Sequence, residues 1–259
     1  MTILGDVPAD FYTPPASTET FSRVASTHDD DDTIYIQSVA IIGMHRSGTS
    51  CLAGCLEDMG LQLGARTTSS PHNLKGNREN PAMWPLHDTI LRRAGGTWDN
   101  PPGGVVPWTV DDRAAARWLL HSYRNLPAPW GFKDPRATLL LDGWLSVLPR
   151  LRVVASVRHP VAVAASLAAR NGFDEDRSLA IWAHYNRAVL RWHSLTGCAV
   201  VNYDAPDYEH RVRGIAASLD LAADRPIRFR STDLNHHGSH DRLPESVAAI
   251  WHELLEVTG

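Results

Sequence analysis

The sequence predicts an α/β fold: a three-layer αβα sandwich around a central parallel sheet, built on a P-loop-type phosphate loop. Three observations point there. Apolar runs that read as buried strands alternate with helical segments, the pattern of a parallel sheet covered on both faces. The first run, Ser38-Val39-Ala40-Ile41-Ile42, leads into Gly43-Met44-His45-Arg46-Ser47-Gly48-Thr49-Ser50. That segment has the glycine spacing G-x-x-x-x-G-x-[ST] of a nucleotide phosphate loop, and a helical segment follows it. Amide N–H groups and the helix dipole converge at such a junction and make an anion site. The lysine usual after the second glycine is replaced by Thr49, and the positive charge sits in the loop at Arg46.

Residues 1–33 are rich in Pro, Ser, Thr and Asp and end in Asp29-Asp30-Asp31-Asp32. This composition buries little surface, so 1–33 reads as a flexible acidic tail and 34–259 as the folded domain. The four carboxylates repel one another and no glycine-punctuated calcium loop follows, so they read as solvated. Residues 34–42 read as the first strand and 49–59 as the first helix, ended by Gly60. Residues 61–85 are loop-rich, broken by Pro71, Gly76, Pro81 and Pro85, and 86–94 form a helix. Residues 95–108, with Gly95-Gly96 and Gly103-Gly104, read as an irregular surface or lid segment. Asp111 caps a helix running to Tyr123.

Trp130 to Asp134 reads as a short strand, Thr138 to Leu148 as a helix, and Leu151 to Val157 as a second buried strand. Pro160 suits the first turn of a helix to Arg170, with Asn171-Gly172 as its C-cap. Residues 176–195 form an amphipathic helix with Leu179, Trp182, Tyr185, Val189 and Trp192 along one side. Gly197 closes it, and Cys198 to Asn202 is a third strand. Helices near 208–219 and 244–257 complete the chain. No internal repeat is visible, and no heptad or apolar surface stripe specifies an oligomer.

A chain of 259 residues with net charge -4 and no basic stripe argues against nucleic acid as a partner. The three cysteines, Cys51, Cys55 and Cys198, form no disulfide or metal-site spacing, which fits a reducing, cytoplasmic compartment. No apolar run approaches the ~18 residues of a membrane span, and no signal peptide is read at the N-terminus.

A second constellation lies at Arg158, Ser166 and Arg170. Arg158 ends a strand, where ligands bind in parallel α/β sheets. Ser166 and Arg170 are four residues apart on one helix and share a face. Two guanidinium groups and a hydroxyl form a clamp for a second phosphate. An ATP-using enzyme also needs a carboxylate for magnesium at the end of a neighbouring strand, and Asp204 is the candidate.

These motifs resemble the sulfotransferase family that uses 3'-phosphoadenosine 5'-phosphosulfate (PAPS). There a loop similar to His45-Arg46-Ser47-Gly48-Thr49-Ser50 wraps the 5'-phosphosulfate. An arginine, a serine eight residues later and, in the tyrosylprotein branch, an arginine four further on hold the 3'-phosphate. Arg158, Ser166 and Arg170 have that spacing, and the resemblance runs from about Ile36 to Tyr203. Lys133-Asp134-Pro135-Arg136 resembles the Lys-Asp-Pro motif of the tyrosylprotein branch, whose lysine faces the sulfonate. Asn73 to Asp88 resembles the bacterial pattern N-x-x-G-x-x-E, which makes Glu79 the candidate base. His87 and Asp88 are further candidates, and His45 can also approach the sulfonate. Tyr203-Asp204 resembles the family's Tyr-[Glu/Asp], whose tyrosine approaches the nucleotide, and Arg228 to His240 stands where a loop covers the adenosine.

The resemblance implies transfer of a sulfonate from PAPS to a hydroxyl of a small-molecule, glycan or lipid acceptor, with 3',5'-ADP as product and no metal. A kinase or nucleotide-binding protein using ATP and magnesium, and a non-catalytic PAPS-binding module, are the alternatives. Trp84, Trp98, Trp108 and Trp130 are candidates for the acceptor pocket, whereas Trp182 and Trp192 read as core. His236, His237 and His240 lack the spacing of a closed zinc site.

Overall fold

The computed structural model describes residues 38–69, 75–127, 129–230 and 243–258. The expected acidic tail, Asn73 and most of the expected adenosine loop lie outside these residues. Among them, four strands form one parallel sheet: β1 (Ser38–Ile42), β2 (Trp130–Lys133), β3 (Arg152–Val157) and β4 (Ala199–Asn202), in the order β2-β1-β3-β4. The helices are α1 (Thr49–Asp58), α2 (Met83–Arg93), α3 (Val110–Leu120, continued by a 3-10 turn at His121–Tyr123), α4 (Ala137–Val147), α5 (Pro160–Asn171), α6 (Glu175–Thr196), α7 (Tyr208–Ser218) and α8 (Glu245–Val257).

The strands are apolar because both faces of the sheet are covered. Val39, Ile41, Val154 and Val201 point to one face, where they meet Leu52 and Leu56 of α1 and Val212 and Ile215 of α7. Ala40, Ile42, Val153, Ala155, Val157 and Val200 point to the other, against α4, α5 and α6. Helices α2, α3 and α8 extend this second layer. The result is the three-layer αβα sandwich expected from the sequence.

The helix ends follow local chemistry. Pro160 opens α5, and Gly172 and Gly197 close α5 and α6 in the left-handed conformation. The expected cap at Asp111 is corrected: Thr109 caps α3, in a reciprocal capping box with Asp112. The box wins because Thr109 stands in extended backbone and its hydroxyl reaches the Asp112 amide at 3.1 Å.

Helix α6 carries three buried donors that reach the carboxyl side of the sheet. Trp182 Nε1 donates to the Arg158 carbonyl at 3.0 Å, Trp192 Nε1 to the Thr138 carbonyl at 2.8 Å, and Tyr185 Oη to the Trp98 carbonyl at 3.1 Å. The connection after β1 runs to β2 on one side, and the connection after β3 runs to β4 on the other. Ligands bind in the crevice such a reversal opens at the strand C-termini. The phosphate loop after β1 and Arg158 after β3 line this crevice.

Candidate active site

The loop leaves β1 through Gly43 (φ 130°), Arg46 (φ 69°) and Gly48 (φ 83°). A Cβ at Gly43 would lie 2.2 Å from the Ser156 carbonyl oxygen, so only glycine passes the edge of β3 here. The Gly43 N–H donates to Thr138 Oγ1 at 2.8 Å, and the same hydroxyl donates to the Gly43 carbonyl at 3.2 Å. Ser156 Oγ donates to the Ser47 carbonyl at 2.6 Å. A Cβ at Gly48 would meet the Tyr203 ring at 2.4 Å. Residues of α4, of β3 and of the turn after β4 therefore fasten the loop.

Helix α1 begins at Gly48 with no capping side chain and no acidic residue in its first turn. Helix α6, by contrast, is capped by Asp174. A carboxylate cap on α1 would occupy the place of an incoming anion, and its omission leaves the first-turn amides to an external one. Ser47 Oγ and His45 Nε2 are enclosed without a hydrogen-bond partner among the described residues. Burial, then Arg136, Arg170 and Lys133, hold the His45 imidazole well below its usual basicity against the opposing charge of Asp134. Its ring packs on Trp98, with centroids 4.5 Å apart.

Three arginines gather here, from the loop after β1, the end of β3 and α5. Arg46 Nε donates to Ser166 Oγ at 2.7 Å, which gives the hydroxyl in the Ala- and Val-rich helix its purpose. Burial and then Arg158 lower the Arg46 guanidinium against Tyr203, and burial and then Arg46 lower Arg170. Both remain charged, since arginine titrates far above neutrality. Arg170 stands over the Trp98 ring at 5.2 Å and bonds Asn171. Arg158 Nε donates to Asp204 Oδ1 at 3.1 Å, and its guanidinium faces the Tyr203 ring at 5.0 Å. The loop arginine, Ser166, Arg170 and Arg158, read from sequence as two motifs, form one basic crevice.

Beside it lies a buried ion pair. Lys133 Nζ, at the end of β2, donates to Glu79 Oε1 at 2.6 Å, to the Asn77 carbonyl at 3.0 Å and to Ser50 Oγ at 3.3 Å. Lys133 is 2 % exposed and Glu79 5 %, so the pair is shielded from bulk water. The other carboxylate oxygen of Glu79, Oε2, lies 4.0 Å from Arg136 Nη1 and makes no hydrogen bond among the described residues. Arg136 in turn bonds Asp88 Oδ1 at 2.7 Å and Asp134 Oδ1 at 3.2 Å. Burial raises the Asp134 carboxyl, but Arg136 and His87 outweigh it and hold the group well below the usual carboxylate range.

His87 is fully buried, with Nδ1 3.0 Å from Asp134 Oδ2 and Nε2 accepting from Trp144 Nε1 at 2.9 Å. Both ring nitrogens are engaged, so His87 is a strut between α2 and α4 and has no lone pair for an acceptor proton. Asp88 is ion-paired to Arg136. Of the four tryptophans considered for an acceptor pocket, Trp98 meets the loop and Trp84 is half-buried. Trp108 and Trp130 are buried in the core instead, Trp108 against Gly143 and Trp144 and Trp130 against Tyr123. Sequence gives no role to Thr138 or Ser156, and names Arg136 only as the end of the Lys133-Asp134-Pro135-Arg136 motif. Ser156 interrupts the apolar run Val153-Val154-Ala155-Ser156-Val157, and that was the available signal.

Among the described residues no group of three or more His, Cys, Asp or Glu side chains is arranged to hold a metal ion. No described helix is long and apolar enough to cross a membrane. The model of the sulfotransferase family matches residues 38–213, from the first residue of β1 into α7. The chain belongs to the sulfotransferase family. No curated protein matches it significantly.

Proposed function

We propose that this sulfotransferase moves a sulfonate from PAPS to an acceptor hydroxyl, giving a sulfate ester and 3',5'-ADP. The observation that carries the reading is a phosphate loop joined to a second basic group, Arg158, Ser166 and Arg170, at the neighbouring strand end. PAPS carries a 3'-phosphate that ATP lacks, and a second clamp suits it. The residues fit such a polyanion: the first turn of α1 carries no side-chain cap, and the enclosed Ser47 hydroxyl and the Arg158 Nη groups have no hydrogen-bond partner among the described residues. PAPS supplies the sulfonate on a stable leaving group.

The chain's own residues divide the remaining work. His45, Arg46, Ser47, Gly48, Thr49 and Ser50 cradle the 5' end. Arg158, Ser166 and Arg170 hold the 3'-phosphate, with Tyr203 against the nucleotide, so that remote binding energy fixes the reacting atoms in line. Glu79 takes the acceptor proton at Oε2, the oxygen that Lys133 leaves open. Lys133 and Arg46 stabilise the negative charge that develops on the oxygens in flight. Lys133 turns toward that charge by exchanging its longest contact, the 3.3 Å bond to Ser50. The acceptor, a small-molecule, glycan or lipid alcohol, enters beside Trp98.

Magnesium-dependent ATP chemistry is disfavoured by Asp204, the carboxylate it would use, which is engaged by Arg158 at 3.1 Å and by the His159 amide at 3.3 Å. The test is a thermal-shift comparison. Metal-free 3',5'-ADP should raise the melting temperature well above the effect of 5'-ADP. Equal shifts, or a larger shift with ATP and magnesium, would refute the reading. Glu79→Gln should abolish PAPS-dependent sulfonation and leave 3',5'-ADP affinity nearly unchanged, whereas a non-catalytic module would be indifferent to it.

A further inference from the structure

We infer that Asp204 is a positioning residue for the 3'-phosphate: its carboxylate holds Arg158 by Nε, so that the two Nη groups face the phosphate as a fixed fork. The inference rests on Arg158 being the 3'-phosphate ligand proposed above.

The geometry is specific to one edge of the guanidinium. Arg158 is 9 % exposed and cannot hydrate its charge freely, so it needs a partner in the protein. Asp204 supplies one through Nε alone, at 3.1 Å. No hydrogen bond from either Nη group appears among the described residues. Those are the two groups that grip a phosphate in parallel. The Tyr203 ring at 5.0 Å lies against the guanidinium, and Trp182 fixes the Arg158 carbonyl from behind.

Asp204 is itself held. Its Oδ2 accepts the His159 N–H at 3.3 Å, and its amide donates to Asn202 Oδ1 at 3.1 Å. The Tyr203 amide donates to the Val157 carbonyl at 2.9 Å, which ties the turn after β4 to the end of β3. The carboxylate therefore stands at a set distance from the strand end that carries Arg158.

Two effects of the carboxylate oppose each other. Its charge repels a phosphate, and its grip orients the cation that binds one. Orientation should prevail here, because both Asp204 oxygens are engaged, Oδ1 by Arg158 Nε and Oδ2 by the His159 N–H, while the Nη edge of Arg158 stays open. Without Asp204, Arg46 and Arg158 would drive each other apart until an anion arrived, and binding would have to re-order the Arg158 side chain.

The experiment is calorimetric titration of 3',5'-ADP and 5'-ADP into the wild type, Asp204→Ala and Asp204→Asn, each first shown to be folded by its melting curve. Asp204→Ala should lower the preference for 3',5'-ADP by about tenfold and leave 5'-ADP affinity unchanged. Asp204→Asn keeps one acceptor for Nε but cannot also serve the His159 amide, and should lose about threefold; it carries the test if the alanine variant does not fold. An equal loss for both nucleotides would mean a merely structural role and would overturn the inference. An unchanged or larger preference would overturn it too, with the carboxylate acting as a competitor of the phosphate. A wild type without preference for 3',5'-ADP removes the clamp reading itself, and the inference falls with it.

Discussion

Replacing Lys133 with methionine removes the ammonium and keeps the length of the stem. Glu79, 5 % exposed, is left with Arg136 Nη1 at 4.0 Å as its nearest cation, and the Asn77 carbonyl loses a donor. Removing one partner of a buried ion pair costs roughly 3–5 kcal/mol, because the remaining charge is uncompensated. For a domain of this size each 1 kcal/mol lowers the melting temperature by about 2–4 °C, so Lys133→Met should melt roughly 6–20 °C below the wild type. Glu79→Leu should cost a similar amount, by stranding the ammonium. The double variant Lys133→Met/Glu79→Leu buries no charge and should recover to within about 2 kcal/mol of the wild type, since apolar replacement of a buried pair is often neutral. Scanning calorimetry with urea midpoints for all four proteins closes the cycle. The reasoning fails if Lys133→Met melts within about 2 °C of the wild type, or if the double variant shows the sum of the single losses. All three variants should be inactive, so stability and activity separate in the double variant.

Gly48→Ala places a Cβ 2.4 Å from the Tyr203 ring at φ 83°. It should cost about 1–3 kcal/mol and weaken 3',5'-ADP binding in calorimetry, and Tyr203→Ala in the same chain should relieve only the steric part. Gly54→Ala drives a methyl into the Phe229 ring, 2.2 Å away, and should weaken the docking of Arg228 and Phe229 on Asp58, seen as faster amide exchange at those two residues. Asp134 titrates in the folded protein well below its unfolded value of about 4. Its contribution to stability is therefore complete above about pH 4 and is lost as pH falls through the folded value. The stability difference between the wild type and Asp134→Asn should be flat from neutrality to about pH 4 and shrink below it in acid titrations followed by circular dichroism.

What was legible in the sequence was local. The loop after β1, the glycine ends of α5 and α6 and the Pro160 start of α5 declare themselves within a few residues of chain. The strand order was not legible, because nothing near Trp130 says that β2 lies on the far side of β1. The site shows the same division. Arg46 and Arg158 are proposed from spacing alone, but the partner of Glu79 is 54 residues away and that of His87 is 47 residues away. His87 looked like a base because its type permits it, and only Asp134 and Trp144 around the ring remove that role. Trp108 and Trp130 looked available in a loop-rich stretch, whereas the helix and strand beside them needed apolar bulk.

The double contact of the Thr138 hydroxyl with Gly43 also bears on the tempo of the ligand capture proposed above. The first glycine of the loop is bonded through both its N–H and its carbonyl, and the second is wedged under Tyr203, so the backbone is already held before a ligand arrives. A nucleotide bound as proposed should then be captured in a single encounter, its observed rate rising in proportion to its concentration without levelling off in stopped-flow mixing. The field of the clustered arginines should set its speed, so added salt should slow arrival more than it hastens departure.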